Sequence, residues 1–262
     1  MLAPEKLATW MSQHEHRDPD YGYIYHYHPR SDAHSIALCN FILQDLLQMC
    51  QILREQAERR EISYGINTRF TWQTTGKTKT LDLAIGLPEA LPQTPLFEPP
   101  APIVKVDRLA EVFISCEAKS VMTEHSKSRP RVYDELSSSH EIVHQGDQGA
   151  IATGITVVNI AETFISPLRQ KIAETPFISQ HKQPQAATNV VQHLRGLPIR
   201  DHVGEVGFDA YATIVVDCDN QSPARLWIAP PAPQPGDKDH YETFIHRICQ
   251  FYTERFSVIH GG

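Results

Sequence analysis

Residues 111–119, Glu-Val-Phe-Ile-Ser-Cys-Glu-Ala-Lys, constrain this chain more than any other stretch. Side chains alternate across a strand, so residues two apart share a face. Val112, Ile114, Cys116 and Ala118 then make an apolar face, while Ser115, Glu117 and Lys119 point the other way. Residues 80–86 read similarly, with Leu81, Leu83 and Ile85 on a buried face and Asp82, Ala84 and Gly86 on the other. An acid and a lysine fixed side by side, with a second acid from a neighbouring strand, suit one chemistry. They bind a hard divalent cation and position a water for attack on phosphorus.

The flanking patterns supply an order of elements. Ser31 is a helix N-cap residue type, and Ile36, Phe41, Ile42, Leu46, Met49, Ile52 and Leu53 recur at helical spacing, predicting one helix from 31 to about 60. Residues 62–72 and 80–86 read as strands of a hairpin about a turn at 74–77. Residues 87–102 hold six prolines and read as a loop or insertion. A basic linker follows the third strand. Pro130 suits the first turn of a helix over 130–144 carrying Val132, Leu136 and Val143, and 150–158 is a β-branched fourth strand. Beyond it come a linker at 166–185, a helix at 186–195, an apolar segment at 206–217 and an amphipathic helix at 239–256. The expected organisation is a histidine- and tyrosine-rich extension or arm (1–30), a core (31–165) and a C-terminal helical part (166–262) packed on the same domain. Within the arm, His26 and His28 stand at i, i+2, a spacing open to metal ligation but with no partner cluster in sequence.

The chain has 262 residues, 41% of them hydrophobic, enough for a large core, and no run of 18 apolar residues. Its start lacks an apolar secretory core, and its five scattered cysteines read as buried thiols of a reducing cytoplasm. The net charge of −7 argues against a nonspecific nucleic-acid binder but leaves room for a local basic patch. Lys77, Lys79, Lys127, Arg129 and Arg131 are the candidate DNA-contacting cations around the acid pair.

Helix, three strands, helix, strand, with Leu81-Asp82 on the second strand and Glu117-Ala118-Lys119 on the third, resembles the PD-(D/E)XK nuclease superfamily, and most of all type II restriction endonucleases. The resemblance covers roughly residues 31–160. It implies a mixed α/β fold with an αβββαβ core, a central mixed sheet flanked by helices, and added C-terminal helices. Leu81 replaces the family's proline, and the proline-rich insertion lengthens the gap from Asp82 to Glu117. By resemblance, Asp82 and Glu117 would hold Mg²⁺, or Mn²⁺ in its place. The Ala118 main-chain carbonyl and an acid of the first helix, Glu55 or Glu58, are further ligand candidates. Lys119 would orient the attacking water or stabilise charge on the phosphate. The implied reaction is hydrolysis of double-stranded DNA to 5′-phosphate and 3′-hydroxyl ends. A homodimer and a cognate DNA methyltransferase as genetic partner are also implied. A repair, recombination or modification-dependent nuclease of the same fold is the alternative within the resemblance.

Two readings of other classes stand beside it. His140-Glu141-Ile142-Val143-His144 matches HExxH, in which i and i+4 histidines on a helix bind zinc and the glutamate acts as general base. The helix ends soon after His144, and Glu162 is the one third-ligand candidate, so a zinc metallopeptidase is the weaker reading. The other is a noncatalytic DNA-binding protein. Arg195, Arg200 and His202, around Gly196-Leu197-Pro198, are loop positions suited to reading bases or phosphates.

Overall fold

Alternating apolar residues build the sheet, and helices with one apolar stripe cover its two faces. The structure, a computed structural model, describes residues 1–18, 22–90, 103–168 and 177–258. In chain order its elements are α1 (Ala3–Gln13), β1 (His16–Arg17), β2 (Ile24–Tyr25), α2 (Ala33–Met49), α3 (Gln51–Glu58), β3 (Ser63–Thr71), β4 (Thr78–Pro88), β5 (Val104–Lys105) and β6 (Leu109–Val121). There follow α4 (His125–Gly146), β7 (Ile151–Asn159), β8 (Thr163–Ile165), β9 (Ile178–Gln180), α5 (Gln185–Leu194), β10 (Ala210–Asp217), β11 (Arg225–Leu226) and α6 (Tyr241–Phe256). The fold is mixed α/β around a seven-stranded sheet of order β11-β10-β7-β6-β4-β3-β5. β6, β7 and β10 run parallel, and β3, β4 and β6 pair antiparallel. Among the described residues no single helix is long and apolar enough to cross a membrane.

One face carries α1, α2, α3 and α6, packed on Leu83, Ile85, Ile114, Cys116, Ile155 and Ile214. The other carries α4 and α5, packed on Leu81, Ala84, Val112, Val121, Val158 and Val215. Two predicted faces therefore change. Leu81 lies on the face opposite Leu83, because β4 switches sides at Asp82. Its partner strand shows the same irregularity: Asn67, between the pairs Ile66–Leu83 and Thr68–Leu81, has φ +51°. Val112 leaves the Ile114 face because a bulge at Phe113 inserts a residue between the pairs Gly86–Val112 and Ile85–Ile114. Gly86 is required at that bulge, where a Cβ would come 1.9 Å from the Glu111 carbonyl oxygen. Gly86→Ala is expected to cost about 1–3 kcal/mol of stability, measurable by urea denaturation.

Three helix boundaries also differ. The predicted helix from 31 to 60 breaks at Cys50 (φ −105°, ψ 97°), and α3 leaves α2 at 100°. The helix predicted at 130 begins at His125, so Pro130 sits inside it. The N-terminal segment, read as an arm, opens with α1, whose Ala3, Leu7 and Met11 join the core. Tyr25 and Tyr27 are buried, whereas Tyr21 lies outside the described residues. Most of the proline-rich insertion, residues 91–102, also lies outside them. The apolar segment at 206–217 forms β10, which extends the central sheet beside β7. All five cysteines are free thiols, four buried and Cys249 partly so.

Candidate active site

The β4–β6 ladder ends at Leu83 opposite Cys116. β6 stays paired with β7 as far as Val121, while β4 continues against β3. The sheet therefore forks between β4 and β6, and Asp82 and Glu117 stand at the fork. An inner-strand N–H without a ladder partner needs another acceptor. Asp82 Oδ2 supplies it, accepting the Ala118 N–H at 2.7 Å. Burial first, and the neighbouring Glu117 carboxylate second, push the Asp82 carboxyl up to about 6, against the pull of Ala118 N–H, Lys119 and Lys79.

Glu117 is 6% exposed and fully engaged. Lys119 Nζ lies 2.6 Å from Oε1, Lys79 Nζ lies 3.0 Å from Oε2, and the Ser139 hydroxyl of α4 donates to Oε2 at 3.2 Å. Lys119 also lies 3.5 Å from Glu135 Oε2 of α4, which in turn pairs with Arg131 at 2.8 Å. Burial would push the Lys119 ammonium down, but Glu117, Asp82 and Glu135 outweigh it and hold it above its ordinary range. The structure thus brings Asp82, Glu117, Lys119, Lys79 and Arg131 into one cluster. Glu135 and Ser139 join it without a local sequence signal, because their contact with β6 depends on how α4 crosses the sheet.

Other expected positions fall elsewhere. Glu55 accepts from Gln51 on the outer side of α3, and Glu58 is exposed on the same helix; neither bonds to the cluster. The break at Cys50 carries both away from the line of α2. Lys77 bonds to Gln145, Lys127 is exposed beside Glu124, and Arg129 faces a separate cleft toward α5. Arg200 is no surface reader of bases: it is fully buried on Asp209. Arg195 pairs with Asp237 and Asp239. In the HExxH segment both histidines are buried and Glu141 is exposed. His144 Nε2 lies 3.2 Å from Asp209, and burial pushes the His140 imidazole down to about 4. His26 Nδ1 and Nε2 lie 2.9 and 3.1 Å from the carbonyl oxygens of His14 and Gln221.

A cleft of about 470 Å³ opens beside the cluster, at the carboxyl end of β6. Tyr27, His34 and Ser35 line one side, and Lys119, Ser120, Arg131 and Glu135 line the other. Ends of parallel strands are where open α/β sheets bind ligands. Asn220 fixes Tyr27 there by bonding its backbone N–H at 2.6 Å and its carbonyl at 2.9 Å, and the Tyr27 hydroxyl meets Ser120 at 2.9 Å.

Among the described residues no three His, Cys, Asp or Glu side chains converge as a ready metal cage. Two carboxylates and a carbonyl nonetheless suit Mg²⁺, which keeps several waters and often uses only one or two protein carboxylates.

The Asp82 shift carries a stability consequence. The folded state binds the proton more tightly than an unfolded carboxyl with pKa about 4, so stability falls as pH rises from 4 to 6 and stays lowered above. Asp82→Asn keeps an acceptor for Ala118 and is expected to raise stability at pH 8 by about 1–3 kcal/mol, with no gain below pH 4. Urea melts across that range test it, and an equal gain at every pH would contradict the assignment. Compared with known protein families, curated proteins and solved structures, the chain matches none.

Proposed function

We propose that this protein is a Mg²⁺-dependent DNA endonuclease with a restriction-endonuclease-like PD-(D/E)XK core, acting as a sequence-specific type II enzyme on double-stranded DNA. The observation that carries the reading is the meeting of Asp82 with Glu117-Ala118-Lys119 at the β4–β6 fork. Asp82 and Glu117, with the Ala118 carbonyl, would hold the cation. When bound there, Mg²⁺ (or Mn²⁺) neutralises phosphate charge and acidifies water.

The chain's own groups do the rest. Lys119 remains protonated and presents its ammonium to the phosphate, where negative charge grows in the transition state. Lys79 is a second ammonium against the same carboxylate. Ser139 holds the orientation of Glu117, and Glu135 steers Lys119. Arg131 offers a backbone-phosphate contact beside the fork, and Lys77 and Lys127 offer others from the two ends of α4, which position the duplex without reading its sequence. Cutting both strands of a two-fold symmetric site calls for a homodimer, and protecting the host genome calls for a cognate methyltransferase. A cytoplasmic location follows from such a role.

Supercoiled plasmid incubated with Mg²⁺, and with chelator as control, tests the proposal. Discrete fragments support the restriction reading. Smearing or nicking assigns the site to another nuclease of the same fold. Intact plasmid with both Mg²⁺ and Mn²⁺ overturns the enzyme.

A further inference from the structure

A second cleft, of about 330 Å³, lies between the N-terminal ends of α4 and α5. His125 and Ser126 line it from the first turn of α4, and Lys182, Gln185 and Ala186 from the start of α5. Half-buried Arg129 projects into it from the next turn of α4, and its Nε is enclosed with no acceptor among the described residues. An enclosed guanidinium N–H left unmade is costly, and an acceptor entering the cleft would satisfy it.

Both helices direct the positive ends of their dipoles at this cleft. Among the described residues no side chain caps α4: the Glu124 carbonyl takes the N–H of Lys127 and Ser128, and His125 and Ser126, whose amides it leaves free, line the cleft. At α5, Gln183 and Lys182 engage the N–H of Ala187 and Ala186. The two imidazoles are walls, not ligands. His125 Nε2 donates to the Asn159 carbonyl at 2.7 Å, while His181 is held by Ala161 and Thr123. The Glu124 carboxylate, also at the rim, lies 3.4 Å from Lys127.

We infer that this cleft is a phosphate-binding site, with Arg129 and Lys182 as its cationic ligands and the α4 amides as neutral donors. A tetrahedral oxyanion suits an arginine fork, an ammonium and the start of α4, with the α5 dipole behind, and these outweigh the one carboxylate at the rim, Glu124. The site is separate from the β4–β6 fork. Arg129 and Arg131 are two residues apart on a helix and so face different directions. It therefore stands whether or not the chain cuts DNA. The phosphate can belong to a nucleic-acid strand or to a free phosphate.

Titration calorimetry with inorganic phosphate in chloride buffer, without divalent metal, tests the site. Saturable binding at one phosphate per chain is expected. Arg129→Gln and Lys182→Gln should each weaken it at least tenfold at unchanged melting temperature, and Lys119→Ala should not. Absence of saturable binding, or binding unaltered in both glutamine variants, overturns the inference. Duplex DNA distinguishes the source. If a strand phosphate is the natural occupant, Arg129→Gln lowers the slope of log K against log salt by about 1, and inorganic phosphate competes with DNA. If a free phosphate is, DNA binding is unchanged in the variant that has lost phosphate.

Discussion

Lys119→Ala is expected to reduce DNA cleavage by about 10²–10³-fold while leaving the fold and DNA binding largely intact. Lys119 touches Glu117 and Glu135 together, at 2.6 and 3.5 Å, and lines the cleft. On the proposed mechanism, removing it deletes a charge placed where the transition state becomes more negative. Lys79 remains on Glu117, so the carboxylate is not stranded and no folding defect should follow. Cleavage rates under saturating enzyme separate the chemical step from binding, which a gel-shift in Ca²⁺ measures independently. A fall in affinity alone, with the single-turnover rate unchanged, would make Lys119 a docking residue and remove it from catalysis.

The largest effect on stability is expected at Asp209, far from that chemistry. Asp209 and Arg200 are both fully buried. Arg200 Nε reaches Oδ1 at 3.0 Å and a terminal nitrogen reaches Oδ2 at 3.1 Å, a two-bonded fork. Arg255 joins at 2.8 Å, His144 at 3.2 Å and the Ala152 N–H at 2.9 Å. The remaining Arg200 bonds go to the carbonyls of Gln148 and Ala150. The network ties α4, β7, the loop before β10 and α6. Asp209→Ala leaves Arg200 buried and uncompensated and should cost about 3–5 kcal/mol, read from urea melts. Burial would push the Asp209 carboxyl up, but His144, Arg200 and Arg255 outweigh it and hold it below its ordinary value. Its stabilisation is therefore present above the unfolded carboxyl's pKa and is lost as pH falls through the folded one. Acid unfolding of the wild type should steepen there, and Asp209→Ala should lack that component.

The strands were legible because their apolar residues alternate, and the shared direction of Glu117 and Lys119 followed from that period. The long-range features were not. Apolar spacing continues across Cys50, so no local signal marks the break that carries Glu55 and Glu58 away. Asp82 changes the face of β4 through a kink at Asn67 that only the partner strand reveals. Pro130, a residue favoured in first turns, marked the wrong start for α4 because the helix gains earlier contacts through His125. Parallel pairing of β10 with β7 depends on strands about sixty residues apart, which no pattern within 206–217 encodes. Glu135 and Ser139 joined the site for the same reason, since only the path of α4 over β6 brings them to Glu117 and Lys119. Arg200, exposed by its loop composition, is buried by one matched carboxylate.

Asp82 and Glu117-Ala118-Lys119 are proposed to form a phosphodiester-cleaving centre. The most direct measurement follows end-labelled duplex DNA with Mg²⁺, comparing wild type with Glu117→Gln at matched concentration and folded fraction. Wild type should give 5′-phosphate and 3′-hydroxyl products, and the variant should form them at least about a hundredfold more slowly. Equal rates from the two proteins, or no product from either, would contradict it.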